Sequence, residues 1–210
     1  LVDTPPDLRF QLLRENIGVV HSVLFTHEHA DHIFGLDDLR LFQFYLGHPV
    51  PLLCEENVEQ RIRTSFDYAF TDRQPTHAGS IPQLVFQRIS TSPFEVLGLP
   101  VIPIRLRHGP YFEVLGFRFG KVAYCTDTNH IPDESKQLLE GLDVLILDAL
   151  RRRPHETHFG LDEAVAVAEQ LKPKRTVLTH ISHDLDYAAT NASLPPTIEL
   201  AFDGMRIPLT

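Results

Sequence analysis

A chain of 210 residues, 43% apolar and 22% charged, has room for one domain of ordinary size and too much apolar content for disorder. Folding at this size hides roughly 70% of the surface of the unfolded chain, so a core forms without disulfide staples, in keeping with only two cysteines, Cys54 and Cys125. No apolar run approaches the ~18 residues of a membrane span, and a net charge of −9 makes polyphosphate a poor default partner. Twelve histidines are the outlying count, and their positions decide the rest.

The chain opens with Leu1 rather than Met, and LVDTPPD reads like the end of a strand, so further residues are expected upstream. Asp3, at that strand end, could brace a neighbouring loop. Residues 23–25 form a short apolar strand that runs into F-T-H-E-H-A-D-H, four potential metal ligands within six residues. A strand ending at Thr26 puts His27 and His29 on one side, within reach of one ion, and Asp31 and His32 follow a turn later for a second. Imidazole and carboxylate together suit Zn²⁺, Mn²⁺ or Fe²⁺. A single histidine after a strand is usually only solvated; four ligand types at this spacing are poorly explained that way.

Residues 35–46 read as a helix, and 55–93 are less periodic, a possible cap over a site. Three further strands repeat one pattern. Residues 100–106 precede His108, 122–124 precede Asp127, and 176–178 precede His180, each candidate standing where loops of an α/β sheet gather functional groups. The seven residues suffice for two ions, three histidines on one and a mixed set on the other. Residues 135–142 and 161–171 read as helices, the latter with apolar residues at 161, 164, 165, 168 and 171 before Lys172-Pro173. The strand at 144–147 leads to Asp148, which could orient a histidine, and to Arg151, Arg152 and Arg153, any of which could pair with phosphate. His183 could sit at the rim, whereas His21, His48, His77, His130 and His155 read as surface or turn residues. Alternating strands and helices in one domain, 1–210, make the fold α/β.

HEHADH at 27–32 resembles the H-x-H-x-D-H motif of the metallo-β-lactamase superfamily, and RHG at 107–109, CTDT at 125–128, ETHFG at 156–160 and LTHISH at 178–183 resemble its phosphoribosyl cyclic phosphodiesterase (PhnP-like) branch. The resemblance implies an αββα sandwich, lacking its N-terminal strands in this chain. It implies His27, His29 and His108 on one ion, Asp31, His32 and His180 on the other, and Asp127 bridging. It also places His158 beside the substrate phosphate. A glycine-rich strand and a cysteine cluster for a structural zinc, usual in the family ahead of this point, are not in this sequence.

Two divalent ions, Zn²⁺ or Mn²⁺, bring +4 against −2 from Asp31 and Asp127, so the site attracts an anion inside an acidic protein. They would lower the pKa of a shared water to about 7 and stabilise an in-line displacement. The expected activity is that of a metal-dependent hydrolase, a phosphodiesterase acting on a small nucleotide-like, even cyclic, ester, with His158 and Asp31 as the catalytic candidates. Alternatives are a tRNA-trimming nuclease like ribonuclease Z, a pyrroloquinoline quinone pathway-type protein, and a metal-binding scaffold without turnover. The nuclease would need a basic RNA-docking arm that the sequence lacks. The expected partner is the small substrate, with no membrane and no nucleic acid; the location is cytoplasmic, and an oligomer, if formed, a homodimer.

Overall fold

The computed structural model describes residues 1–71 and 75–208. The chain divides into two compact units, Leu1–Ser90 and Thr91–Thr210, each with its own sheet and its own apolar core.

In the first unit α1 (Leu8–Arg14) precedes β1 (Val23–Leu24), α2 (Ala30–Ile33), a 3₁₀ segment (Leu36–Leu41) and α3 (Phe42–Leu46). Then come β2 (Val50–Cys54), α4 (Glu56–Ser65) and β3 (Leu84–Arg88). The three strands pair in parallel, in the order β1-β2-β3, with helical crossovers as parallel pairing requires. Val2 extends the edge by a single isolated parallel bridge to Leu24. The core is built on Phe25, Ile33, Leu36, Leu39, Leu52 and Ile62, all fully buried.

The helix expected over 35–46 is instead a 3₁₀ segment followed by α3. Buried Leu36, Leu39 and Phe42 recur every three residues, the period that 3₁₀ geometry places on one face. Gly35 opens the segment because a Cβ there would lie 2.1 Å from the Pro5 carbonyl oxygen. The weakly periodic stretch 55–93 contains α4 and β3. They are tied together by Glu59, which accepts from Arg88 Nε at 2.7 Å and Arg63 Nε at 2.8 Å.

The second unit holds β4 (Phe94–Val96), β5 (Leu99–His108), β6 (Phe112–Phe119), β7 (Val122–Cys125), α5 (Asp133–Gln137), β8 (Val144–Asp148), α6 (Leu161–Leu171), β9 (Arg175–Thr179), α7 (Tyr187–Ser193) and β10 (Ile198–Leu200). Its seven strands lie in the order β10-β9-β8-β7-β6-β5-β4. β4 to β7 form an antiparallel meander, and β7 to β10 run parallel. The helix at 161–171 has the bounds its periodicity indicates, with Leu161, Ala164 and Ala168 buried. α5 is shorter than the expected 135–142, and beyond its end Arg118 Nη1 donates to the carbonyls of Leu138 and Glu140. Among the described residues no helix is long and apolar enough to cross a membrane.

Candidate metal centre

In the first unit, β1 delivers Thr26 and His27 into a loop that ends at α2, which carries Asp31 and His32. His27 and His32 are buried, His29 is half-buried and Asp31 is exposed. The rings of His29 and His32 lie 4.5 and 4.1 Å, centroid to centroid, from that of His27. Behind them sits Asp3, held at φ +56°, a left-handed conformation uncommon outside glycine. Its Oδ1 accepts from the Thr26 amide at 2.8 Å, and its Oδ2 accepts from the Thr26 hydroxyl and from His32 Nδ1, each at 2.8 Å. Burial pushes the Asp3 carboxyl up, and the bonds from His32 and Thr26 oppose that shift. Because the Thr26 hydroxyl donates to Asp3, it accepts from His27 Nδ1 at 3.0 Å. This network assigns the Nδ1–H tautomer to both His27 and His32 and leaves each Nε2 as the basic nitrogen. Asp3 thus braces the motif loop, as its place at a strand end suggests.

In the second unit, β5 runs parallel to β7, so His108, Asp127, Asp148 and His180 all emerge at the same edge of the sheet. Asp127 and His180 both carry positive φ, +53° and +58°. The two residues follow β7 and β9, the strands on either side of β8, so both uncommon conformations fall at the same sheet edge. His108 Nδ1 donates to the Thr157 carbonyl at 2.8 Å. Asp148 is completely buried; its Oδ2 accepts from the Thr128 amide at 2.8 Å and from His158 Nδ1 at 2.7 Å. Burial raises the Asp148 carboxyl, opposed chiefly by His158. The His158 ring stacks on that of His180, centroids 4.6 Å apart, and meets that of His108 edge-on at 4.8 Å.

The donor set in each unit suits a divalent ion. Asp31 Oδ2 lies 3.5 Å from His32 Nε2, and Asp127 Oδ1 lies 3.4 Å from His180 Nε2. Ligand atoms ~2.0–2.2 Å from a tetrahedral ion stand about 3.3–3.6 Å apart. Neither cysteine is among the side chains gathered at these clusters: Cys54 and Cys125 are free and buried, and burial pushes each thiol up to about 12.

Several sequence expectations are refined. Asp148 orients His158 rather than one of the seven ligand candidates. Arg151 donates to the Arg153 and Pro154 carbonyls and braces its own loop, while Arg152 ties that loop to Thr190 on α7. His183 projects into solvent, its side chain 96% exposed. His155, set aside as a surface residue, is half-buried with its ring 5.2 Å from that of His158. It follows a loop rather than a strand, and only its place three residues before His158 could have flagged it.

A family model described as "Beta-lactamase superfamily domain" matches residues 1–181, and the chain belongs to that superfamily. It has the mixed α/β fold of the metallo-β-lactamases. Within that class it is PhnP-like. A crystal structure described as a new diphosphatase from the PhnP family is 44% identical, with a TM-score of 0.89 over 97% of this chain and 76% of that one. Zn²⁺-bound PqqB from Methylobacterium extorquens is 20% identical, with a TM-score of 0.74 over 99% of this chain and 82% of that one; at that identity it shows the fold alone. A curated relative, an octanoyltransferase of Porphyromonas gingivalis, is 34% identical over 209 residues, 98% of this chain. This chain spans only 41% of that relative's length.

Proposed function

We propose that the protein hydrolyses a small phosphodiester, linear or cyclic and nucleotide-like, at a centre of two divalent ions, Zn²⁺ or Mn²⁺. His27, His29 and His108 are assigned to one ion, Asp31, His32 and His180 to the other, and Asp127 to both. The support is chemical: imidazole and carboxylate donors, the Nδ1 atoms of His27, His32 and His108 tied back to protein oxygens, and the Nε2 atoms of those rings left basic. When bound, the ions lower the pKa of water and neutralise charge on the phosphoryl oxygens.

The observation that carries the phosphodiester reading is the buried Asp148–His158 pair. Asp148 holds His158 Nδ1–H, which directs Nε2 outward and stabilises the ring when it carries two protons. His158 can then anchor an anionic oxygen or hand its Nε2 proton to the departing alkoxide. We assign to Asp31, the exposed carboxylate of the set, the role of holding a proton drawn from the attacking water. The 44% identical neighbour, described as a diphosphatase, supports reaction at phosphorus.

Turnover of bis(p-nitrophenyl) phosphate tests the reading. Activity abolished by a chelator and restored by Zn²⁺ or Mn²⁺ is expected. Protein that binds close to two equivalents of metal yet leaves the ester intact would overturn it.

A further inference from the structure

We propose that His155 is a phosphate-binding residue, donating through its Nε2–H to a substrate oxygen beside His158. This rests on the phosphodiester reading above and names a residue that reading does not use.

Thr157 is the hub. Its carbonyl fixes His108, its amide N–H donates to His155 Nδ1 at 3.3 Å, and its hydroxyl lies 3.2 Å from the same nitrogen. A ring nitrogen that accepts an amide N–H carries a lone pair, so the neutral His155 ring has its proton on Nε2. His108 and His158 take the opposite tautomer, their Nδ1–H groups held by Thr157 and Asp148. His155 is therefore the donor of this group, set 5.2 Å from His158 and half-buried, so that one edge stays within reach of a small ligand. The loop is fixed rather than pliable. Gly109, at φ +74°, packs so closely on Thr157 that a Cβ would stand 2.7 Å from its Cγ2. Burial, then the neighbouring His158 and Arg151, hold His155 below its ordinary pKa. A neutral N–H donor beside a phosphoryl oxygen satisfies a lone pair without competing with the ions for charge.

Two substitutions separate a binding role from a bracing one. In Gln the amide nitrogen reaches about where Nε2 stands; in Asn the amide reaches only about as far as Nδ1. For Zn²⁺-loaded wild type, His155→Gln and His155→Asn, the measurements are zinc content, calorimetric affinity for inorganic phosphate, and KM and kcat on bis(p-nitrophenyl) phosphate. We expect His155→Asn to weaken phosphate binding and raise KM roughly 10- to 100-fold, and His155→Gln to stay within about threefold of wild type. Zinc content should hold in both. The reverse ranking would make His155 a brace for Thr157, equal wild-type affinity in both would place it outside the site, and zinc loss in both would mean it acts through His108. Any of these overturns the proposal. A wild-type protein that binds phosphate but does not turn over the diester would defeat the phosphodiester reading and leave the affinity ranking to judge His155.

Discussion

Asp148, with none of its surface exposed, accepts a 2.7 Å hydrogen bond from His158 Nδ1. Its Oδ2 is also held by the Thr128 amide, so the carboxylate cannot turn away from the ring. If the pair acts as a unit, His158→Ala should keep fold and metals while turnover falls by roughly 10²–10⁴-fold. The loss should be greater for esters with poor alkoxide leaving groups than for p-nitrophenolate. Asp148→Asn, whose amide favours the wrong tautomer, should act in the same direction, and the double variant should be little worse than His158→Ala. Additive losses in a double-mutant cycle would show that the two residues work separately.

Asp127 is proposed as the ligand shared by both ions, and its φ of +53° guides the choice of substitution. Alanine would add backbone strain of about 1–2 kcal/mol, whereas asparagine tolerates that conformation and can still accept from the Thr126 hydroxyl. Asp127→Asn should therefore melt close to wild type but retain about one equivalent of metal or fewer, by elemental analysis. Two equivalents in the variant would remove Asp127 from the bridging role.

Asp3 touches no proposed ion, yet it holds both His32 and Thr26. Asp3→Ala should lower zinc affinity by about 10- to 100-fold, the usual cost of losing a group that orients a ligand histidine. Competition with a chromogenic chelator measures it. Unchanged affinity would mean that the motif loop keeps its shape without this carboxylate.

Glu59 offers a test away from the site. Burial raises its pKa, but Arg88 and then Arg63 outweigh that and bring it below the ordinary glutamate value. A depressed folded-state pKa contributes stability above the unfolded value, near 4.3, and loses it as pH falls through the folded value. Glu59→Gln should thus cost about 1–2 kcal/mol at pH 7, shrinking toward zero in acid below about pH 4. Urea melts of both proteins across that range decide it; a difference independent of pH would show packing, not charge, at work.

Much of this protein is written in its local sequence. The H-x-H-x-D-H run, the strands before His108, Asp127 and His180, and the helix at 161–171 follow from apolar periodicity and ligand spacing, which neighbouring residues along the chain determine by themselves. Other strands are masked by residues that only pairing excuses. β6 carries Gly116 in its middle because a Cβ there would lie 2.8 Å from the Tyr124 carbonyl oxygen. β2 carries Pro51 at its second position. The tertiary structure alone decided which histidine each carboxylate serves. Asp3 meets His32 across 29 positions of chain, Asp148 meets His158 rather than a ligand candidate, and Thr157 selects opposite tautomers for His108 and His155. Those choices depend on hydrogen-bond distances between strands brought together by folding, and residue types and spacings do not encode such distances.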